Sequence, residues 1–241
     1  MPKYFFSPTQ LHDAQITLDG DTAHHLLHVL RVNTGDKIIL CNGAATDYSG
    51  TIIAIKSKPP NITVKIEETL LSRTEPPTKV SLYQGLPKGD KMDLIIQKCV
   101  ELGIHEIIPV ITSRAVARDS AKKAERYQRI AESAAGQSMR GIIPKVHTAL
   151  SFDDAVAQVT ETTFIAYEDE QTNNLNAMLT KRPAAIDIWI GPEGGFSKEE
   201  ISALTNKGAK TFTLGPRILR TETAAIVSLA QIMFIVECGN S

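Results

Sequence analysis

The first third of the chain alternates apolar and polar residues in short runs. Lys37-Ile-Ile-Leu-Cys41, Tyr48-Ser-Gly-Thr-Ile-Ile-Ala-Ile55 and Ile62-Thr-Val-Lys-Ile66 have the β-branched content and two-residue period of strands, punctuated by Asn42-Gly43 and Pro59-Pro60-Asn61. They predict a small β-rich domain over residues 1–73. Leu71-Ser-Arg-Thr-Glu-Pro-Pro-Thr78 is polar and non-periodic and suits a linker, with the boundary near residue 74. Beyond it, in 74–241, strand-like and helix-like patterns alternate. Strands are expected at Val80–Gln84, Glu106–Ile111, Thr163–Ala166, Ile186–Ile190 and Thr211–Leu214. Helices are expected at Lys88–Leu102, where Met92, Ile95, Ile96, Cys99 and Val100 make one stripe, then at Ala121–Met139, from Lys198, and from about Glu222 to Val236. This alternation predicts a mostly parallel α/β sheet.

Composition narrows the class. A length of 241 residues with 42% hydrophobic positions supports one large or two modest domains with real cores. Cys41, Cys99 and Cys238 are odd in number and far apart, which argues against a disulfide framework or a zinc site and for a reducing, cytoplasmic setting. No secretory signal is evident at the start. The longest apolar run, 224–236, is shorter than the ~20 residues of a membrane helix, so a soluble protein is expected. A net charge of −1 argues at first against a polyanionic partner, but the charge is uneven. Residues 1–72 carry net −1, residues 73–146 net +5 and residues 147–241 net −5. Within the positive block, Arg126, Arg129, Ser133, Gln137 and Arg140 recur at steps of three and four, one basic face if the helix continues; Arg114 and Arg118 precede it. Such a face is either merely solvated or a nucleic-acid contact.

Two segments carry candidate chemistry. In Ile190-Gly-Pro-Glu-Gly-Gly-Phe-Ser197, glycines follow a buried-type strand, and Ser197 with Glu200 makes a capping box that starts a helix. This is either a tight turn or a ligand-binding loop. No phosphate loop, dinucleotide fingerprint or nucleophile elbow is present. Leu214-Gly-Pro-Arg-Ile-Leu-Arg-Thr-Glu-Thr-Ala224 repeats the design after the next strand, with Thr221 placed to cap the last helix. Two consecutive strands ending this way suggest one pocket, flanked by Arg217 and Arg220. His105 and His147 read as isolated, structural histidines.

GPEGGFS at 191–197 and GPRILRTETA at 215–224 resemble the ribosomal RNA small subunit methyltransferase E family of the SPOUT superfamily. So do Lys88-Gly-Asp-Lys91, Gln97-Lys98, Glu101-Leu-Gly103, Arg129–Ala135 with Gln137 and Arg140, and His25–Arg31 with Gly35-Asp36. Val100 departs from the pattern, where Thr is expected. The resemblance implies a PUA-like β-barrel, then an α/β domain with a deep trefoil knot over about 163–241. It also implies a homodimer through the knotted domains, and methylation of N3 of a uridine in 16S rRNA of the small ribosomal subunit. The methyl donor would be S-adenosylmethionine, with no metal. The cofactor would lie in a cleft of three loops, contacting Tyr167 in the first, Ile190, Gly191, Gly194 and Gly195 in the second, and Leu214, Gly215, Ile218, Leu219 and Thr221 in the third. RNA would meet Arg31, Arg114, Arg118, Arg126, Arg129 and Arg140.

The reaction then assigns roles. N3 of uracil becomes a good nucleophile only as its proton leaves and charge spreads onto the flanking carbonyl oxygens, so a cation or N–H donor is needed there. Arg220 is the candidate; Glu193 either accepts the proton or holds its loop. The alternatives are a non-catalytic RNA-binding protein with a degenerate α/β domain, and a small-molecule enzyme, which the missing phosphate-binding signature disfavours.

Overall fold

A computed structural model describes residues 3–115 and 121–238, and it divides into two compact units. The first runs to Glu75 and regains Ala135–Ile143 from later in the chain. It contains β1 (Tyr4–Phe5), β2 (Leu11–His12), β3 (Gln15–Leu18), helix α1 (Gly20–His28), β4 (Lys37–Cys41), β5 (Thr46–Ser57) and β6 (Pro60–Leu71). The sheet order is β1-β4-β5-β6-β3-β2, antiparallel except for β1 against β4. Alternate residues Ile16 and Leu18, Ile38 and Leu40, and Ile62 and Val64 turn inward and meet Ala23 and Leu26 of α1, as a two-residue period against a helical one requires. The β5–β6 hairpin is longer than its apolar pattern predicts. Cross-strand pairing carries polar positions such as Glu68 opposite Ser49 into the ladder.

The returning segment is tied in by polar contacts. Lys3 N–H donates to Gly136 O at 3.0 Å and Ala45 N–H to Gly141 O at 2.8 Å. Arg140 is only 2% exposed, and its guanidinium grips Glu75 at 2.6 and 3.0 Å, while Glu75 Oε1 also accepts Gly141 N–H at 2.7 Å. The basic face expected on the helix therefore loses this member. The helix ends at Gln137, and Met139 takes a left-handed φ of 62°, which turns Arg140 inward as a structural ion pair.

The second unit holds β7 (Lys79–Gly85), α2 (Lys91–Glu101), β8 (Glu106–Ile111), most of α3 (Ala121–Gln137), β9 (Lys145–Val146), β10 (Leu150–Ser151), α4 (Phe152–Val156), β11 (Thr163–Ala166), α5 (Leu175–Met178), β12 (Ala185–Ile190), α6 (Lys198–Asn206), β13 (Lys210–Phe212) and α7 (Thr221–Met233). Every strand pair in it is parallel, in the order β10-β8-β7-β12-β11-β13, with β9 also beside β8. From β7 the chain builds outward on one side, crosses over to β11, and inserts β12 between β7 and β11, so the order reverses at β7 and β12.

Parallel strands covered on both faces read as continuous apolar runs, and Val80–Gly85 is buried throughout. One layer of the core stacks Trp189 on Tyr83, with ring centroids 4.7 Å apart and planes 2° from parallel, beside Phe152 and Phe196. Elsewhere the predicted stripe Met92, Ile95, Ile96, Cys99 and Val100 is buried on α2, which packs against α7. Thr221–Cys238 is long and apolar enough to cross a bilayer, but Ala225, Leu229, Ile232, Met233 and Val236 are buried in this core, as in a core helix. His147 is not isolated: its Nε2 lies 2.7 Å from Glu106 Oε2, which makes it part of the sheet's polar edge.

Candidate active site

A cleft of about 1000 Å³ opens at the carboxyl ends of β11, β12 and β13, next to the point where strand order reverses. Ala166, Tyr167 and Glu168 form one wall, Ile190 to Phe196 the floor, and Thr213 to Thr221 the other wall. The residues assigned from sequence all line it: Tyr167, Ile190, Gly191, Gly194, Gly195, Leu214, Gly215, Ile218, Leu219 and Thr221, with Glu193 and Arg220. Ile218, 91% exposed, offers an apolar surface at the edge of the opening.

Hydrogen bonds fix the loops that line the cleft. Glu170 accepts Thr172 N–H, Asn173 N–H and the Thr211 hydroxyl, and these donors hold its carboxyl far below the ordinary range. Tyr167 N–H donates to Phe212 O at 3.1 Å. The capping box forms as predicted: Ser197 Oγ accepts Glu200 N–H at 3.2 Å, and Glu200 Oε2 accepts Ser197 N–H at 2.8 Å. Glu200 Oε1 also accepts Ser113 N–H at 2.7 Å, and Arg114 Nη1 donates to Gly194 O at 2.7 Å, so the segment after β8 braces the glycine loop. Gly195 has a φ of 65°, and a Cβ there would lie 2.7 Å from Glu168 Oε1; only glycine suits that turn.

Glu193 is a clamp. It accepts Lys88 N–H at 3.0 Å and Lys91 Nζ at 2.8 Å; burial raises its pKa, but Lys91 and the N–H donors outweigh this and leave the carboxyl below its ordinary value. A group so held is a poor base at neutral pH. Lys91 also lies 3.7 Å from Glu222, and Glu193 beside it lifts its own pKa. Among the described residues the Arg220 side chain has no hydrogen bond or ion pair, and it stands exposed at the cleft.

Thr221 is not the cap of α7. Arg220 occupies that position without a side-chain cap, and the Thr221 hydroxyl instead donates to Gly191 O at 2.6 Å and accepts from Gln84 Nε2 at 3.0 Å. Sequence pattern alone does not single out Gln84, which shares the buried run Val80–Gly85 with a second polar residue, Ser81. Lys91 lay within a recognised motif but carried no role.

The basic residues scatter. Arg31 is exposed in the first unit, with a φ of 56°. Arg126 and Arg129 are exposed on α3, Arg126 paired with Asp93 and, at 3.5 Å, Asp90. Arg114 braces the loop, Arg140 is buried, and Arg118 lies outside the described residues.

Comparison with known proteins is consistent along the chain. The model of an RNA methyltransferase domain matches residues 74–233, and that of an RNA methyltransferase PUA domain matches 18–66. Ribosomal RNA small subunit methyltransferase E of Bacillus subtilis (strain 168) is 36% identical, over 98% of both chains. The Synechocystis protein of the same name is also 36% identical, over 96% of this chain and 77% of its own. A crystal structure of the Neisseria gonorrhoeae protein bound to S-adenosyl methionine superposes with a TM-score of 0.87 at 30% identity, covering 98% of each chain. The PUA-type unit, the parallel sheet with its cleft, and these relatives together place the chain in the ribosomal RNA small subunit methyltransferase E family.

Proposed function

We propose that this chain transfers the methyl group of S-adenosylmethionine to N3 of a uridine in 16S rRNA. The observation that carries the reading is the cleft, lined by residues of three loops, with the unpaired Arg220 side chain among them. The residues fit the cofactor. Its volume and the apolar Leu214, Ile218 and Leu219 suit a nucleoside, and the exposed loop backbone suits its polar groups. The Neisseria relative's bound S-adenosyl methionine supports assigning Tyr167, Ile190, Gly191, Gly194, Gly195, Leu214, Gly215, Ile218, Leu219 and Thr221 to cofactor binding. When bound, the sulfonium supplies an electrophilic methyl group.

Arg220 then stabilises charge that develops on the uracil carbonyl oxygens. Glu193 holds the loop through Lys88 and Lys91 and is not the proton acceptor. Among the described residues Glu168 is the cleft carboxylate with no hydrogen bond or ion pair, which suits it better for taking the proton. Exposed Arg31, Arg126 and Arg129 contact RNA phosphates.

The same reading includes the trefoil knot. It is supported by the strand order β12-β11-β13 and by the return of α7 from the edge strand to pack on β7 and β12. It includes a homodimer, supported by the half-buried Ile226 and Val227 of α7 and by Phe234, which is 69% exposed. Free Cys41, Cys99 and Cys238 and the rRNA substrate support a cytoplasmic setting.

Methylation at N3 blocks Watson–Crick pairing. Reverse transcription of 16S rRNA from cells with the gene should therefore stop at one uridine and read through in cells without it. An identical stop in both refutes the assignment.

A further inference from the structure

We propose that Gln84 and Thr221 are positioning residues that latch the glycine-rich floor of the cleft to the wall that carries Thr221 and so set the place of Arg220. Three chain segments meet at this point: the end of β7, the first loop residue after β12, and the first residue of α7. The hydrogen bonds run in one direction. Gln84 Nε2 donates to Gly85 O at 2.9 Å and to Thr221 Oγ1 at 3.0 Å, and the Thr221 hydroxyl donates onward to Gly191 O at 2.6 Å. Gln84 Nε2 also faces Ile190 O at 3.4 Å and Gly191 O at 3.5 Å.

The other end of the amide shows what the position is used for. Gln84 is 0% exposed, and its Oε1 is buried without a hydrogen-bond partner in the described structure. Turning the amide over would aim Oε1 at three carbonyl oxygens, so the orientation is fixed by its surroundings. A side chain needed only to fill space would be Leu or Met, which leaves no orphaned acceptor. Retaining an amide at that cost points to the donor as the useful part.

The segments have no slack. A Cβ on Gly85 would lie 2.5 Å from Pro192 Cδ, so strand end and loop are already in contact. Arg220 has no side-chain anchor among the described residues. Its backbone is held through Thr221 beside it and through the Ala224 N–H bond to Arg220 O at 2.8 Å.

This inference rests on the proposed cofactor and Arg220 assignments, and the test separates the two. Thr221→Val deletes the hydroxyl in nearly the same volume, Thr221→Ser restores it, and Gln84→Met removes the amide together with its orphaned oxygen and should fold at least as well. Transfer of labelled methyl from S-adenosylmethionine to small-subunit rRNA is measured with amide hydrogen exchange of 191–196 and 221–224. Thr221→Val and Gln84→Met should lower kcat about tenfold or more, with KM for S-adenosylmethionine changed less than about threefold in Gln84→Met, whose side chain does not line the cleft, and Thr221→Ser should stay within about threefold of the parent in kcat. Exchange at both segments should quicken in the first two variants and not in the third.

Parent-like kcat in Thr221→Val and Gln84→Met, or a Thr221→Ser variant as impaired as Thr221→Val, overturns the inference. If the parent chain itself transfers no methyl, the functional reading fails, and unchanged exchange in both latch variants refutes the latch separately.

Discussion

Replacing Arg220 by Ala removes the one cationic group assigned to the reacting base. Its effect on folding and on chemistry can be separated because of where the side chain stands. The guanidinium is exposed and, among the described residues, has no hydrogen bond or ion pair, so its loss strands no buried partner; the stability change should stay within about 0.5 kcal/mol. In the transition state it meets a uracil whose carbonyl oxygens gain negative charge. A charge-assisted hydrogen bond contributes about 1.5–3 kcal/mol, and a preorganised donor to a developing oxyanion about 2.7–4 kcal/mol. The open side of the cleft weakens the interaction, so the lower half of that span is expected, a fall in kcat of about 10- to 100-fold. Arg220→Lys keeps the charge but loses the planar fork, and should recover only part of the rate. The assay is transfer of labelled methyl to small-subunit rRNA, with calorimetry for S-adenosylmethionine. A variant whose kcat stays within about twofold of the parent refutes the role. A variant that loses cofactor binding in proportion to kcat moves Arg220 into the cofactor site.

Other consequences follow from the surrounding contacts. Arg140→Leu leaves the partly buried Glu75 carboxylate without its guanidinium and should destabilise the first unit by about 2–3 kcal/mol, read from denaturant midpoints. Burial raises the Glu75 pKa, but Arg140 and the N–H donors outweigh it and hold the carboxyl below its ordinary value of 4.5. Its stabilising contribution is therefore complete above about that pH and lost as pH falls through the folded value; Glu75→Gln should flatten the acid limb of the stability profile, and an unchanged limb refutes the linkage. Lys91→Met frees Glu193 and leaves Glu222 without its cation, and should weaken S-adenosylmethionine binding measured by calorimetry while the fold persists; parent-like affinity would dissociate the clamp from the cleft. Arg126→Ala with Arg129→Ala should weaken rRNA binding and lower the slope of log affinity against log salt by about one to two, whereas Arg140→Leu should leave that slope unchanged in molecules that remain folded.

Much of the site was legible before folding is considered. The Ser197–Glu200 capping box, the glycines after β12 and the strand-helix alternation depend on partners within a few residues, so a linear pattern exposes them. The buried stripe of α2 follows from a 3.6-residue period in the same way. The roles of individual polar side chains were less legible. Thr221 has the residue type and position of a helix cap, yet its hydroxyl finds Gly191, 30 positions earlier, and Gln84, 137 positions away. Arg140 continues the spacing of Arg126 and Arg129, yet one left-handed residue, Met139, ends the helix and delivers it to Glu75.

Which elements form, where the loops of the cleft lie and which family's motifs they carry can all be read along the chain. These are set by local periodicity, caps and turn residues. Folding settles which charges find partners and which stay free: Glu193 is held by Lys88 and Lys91, Arg114 by Gly194 and Arg140 by Glu75, while the Arg220 side chain is left open at the cleft. The reason is physical. A charge finds its partner through the crossing order of the strands, which brings together residues tens of positions apart, and no local pattern encodes that meeting.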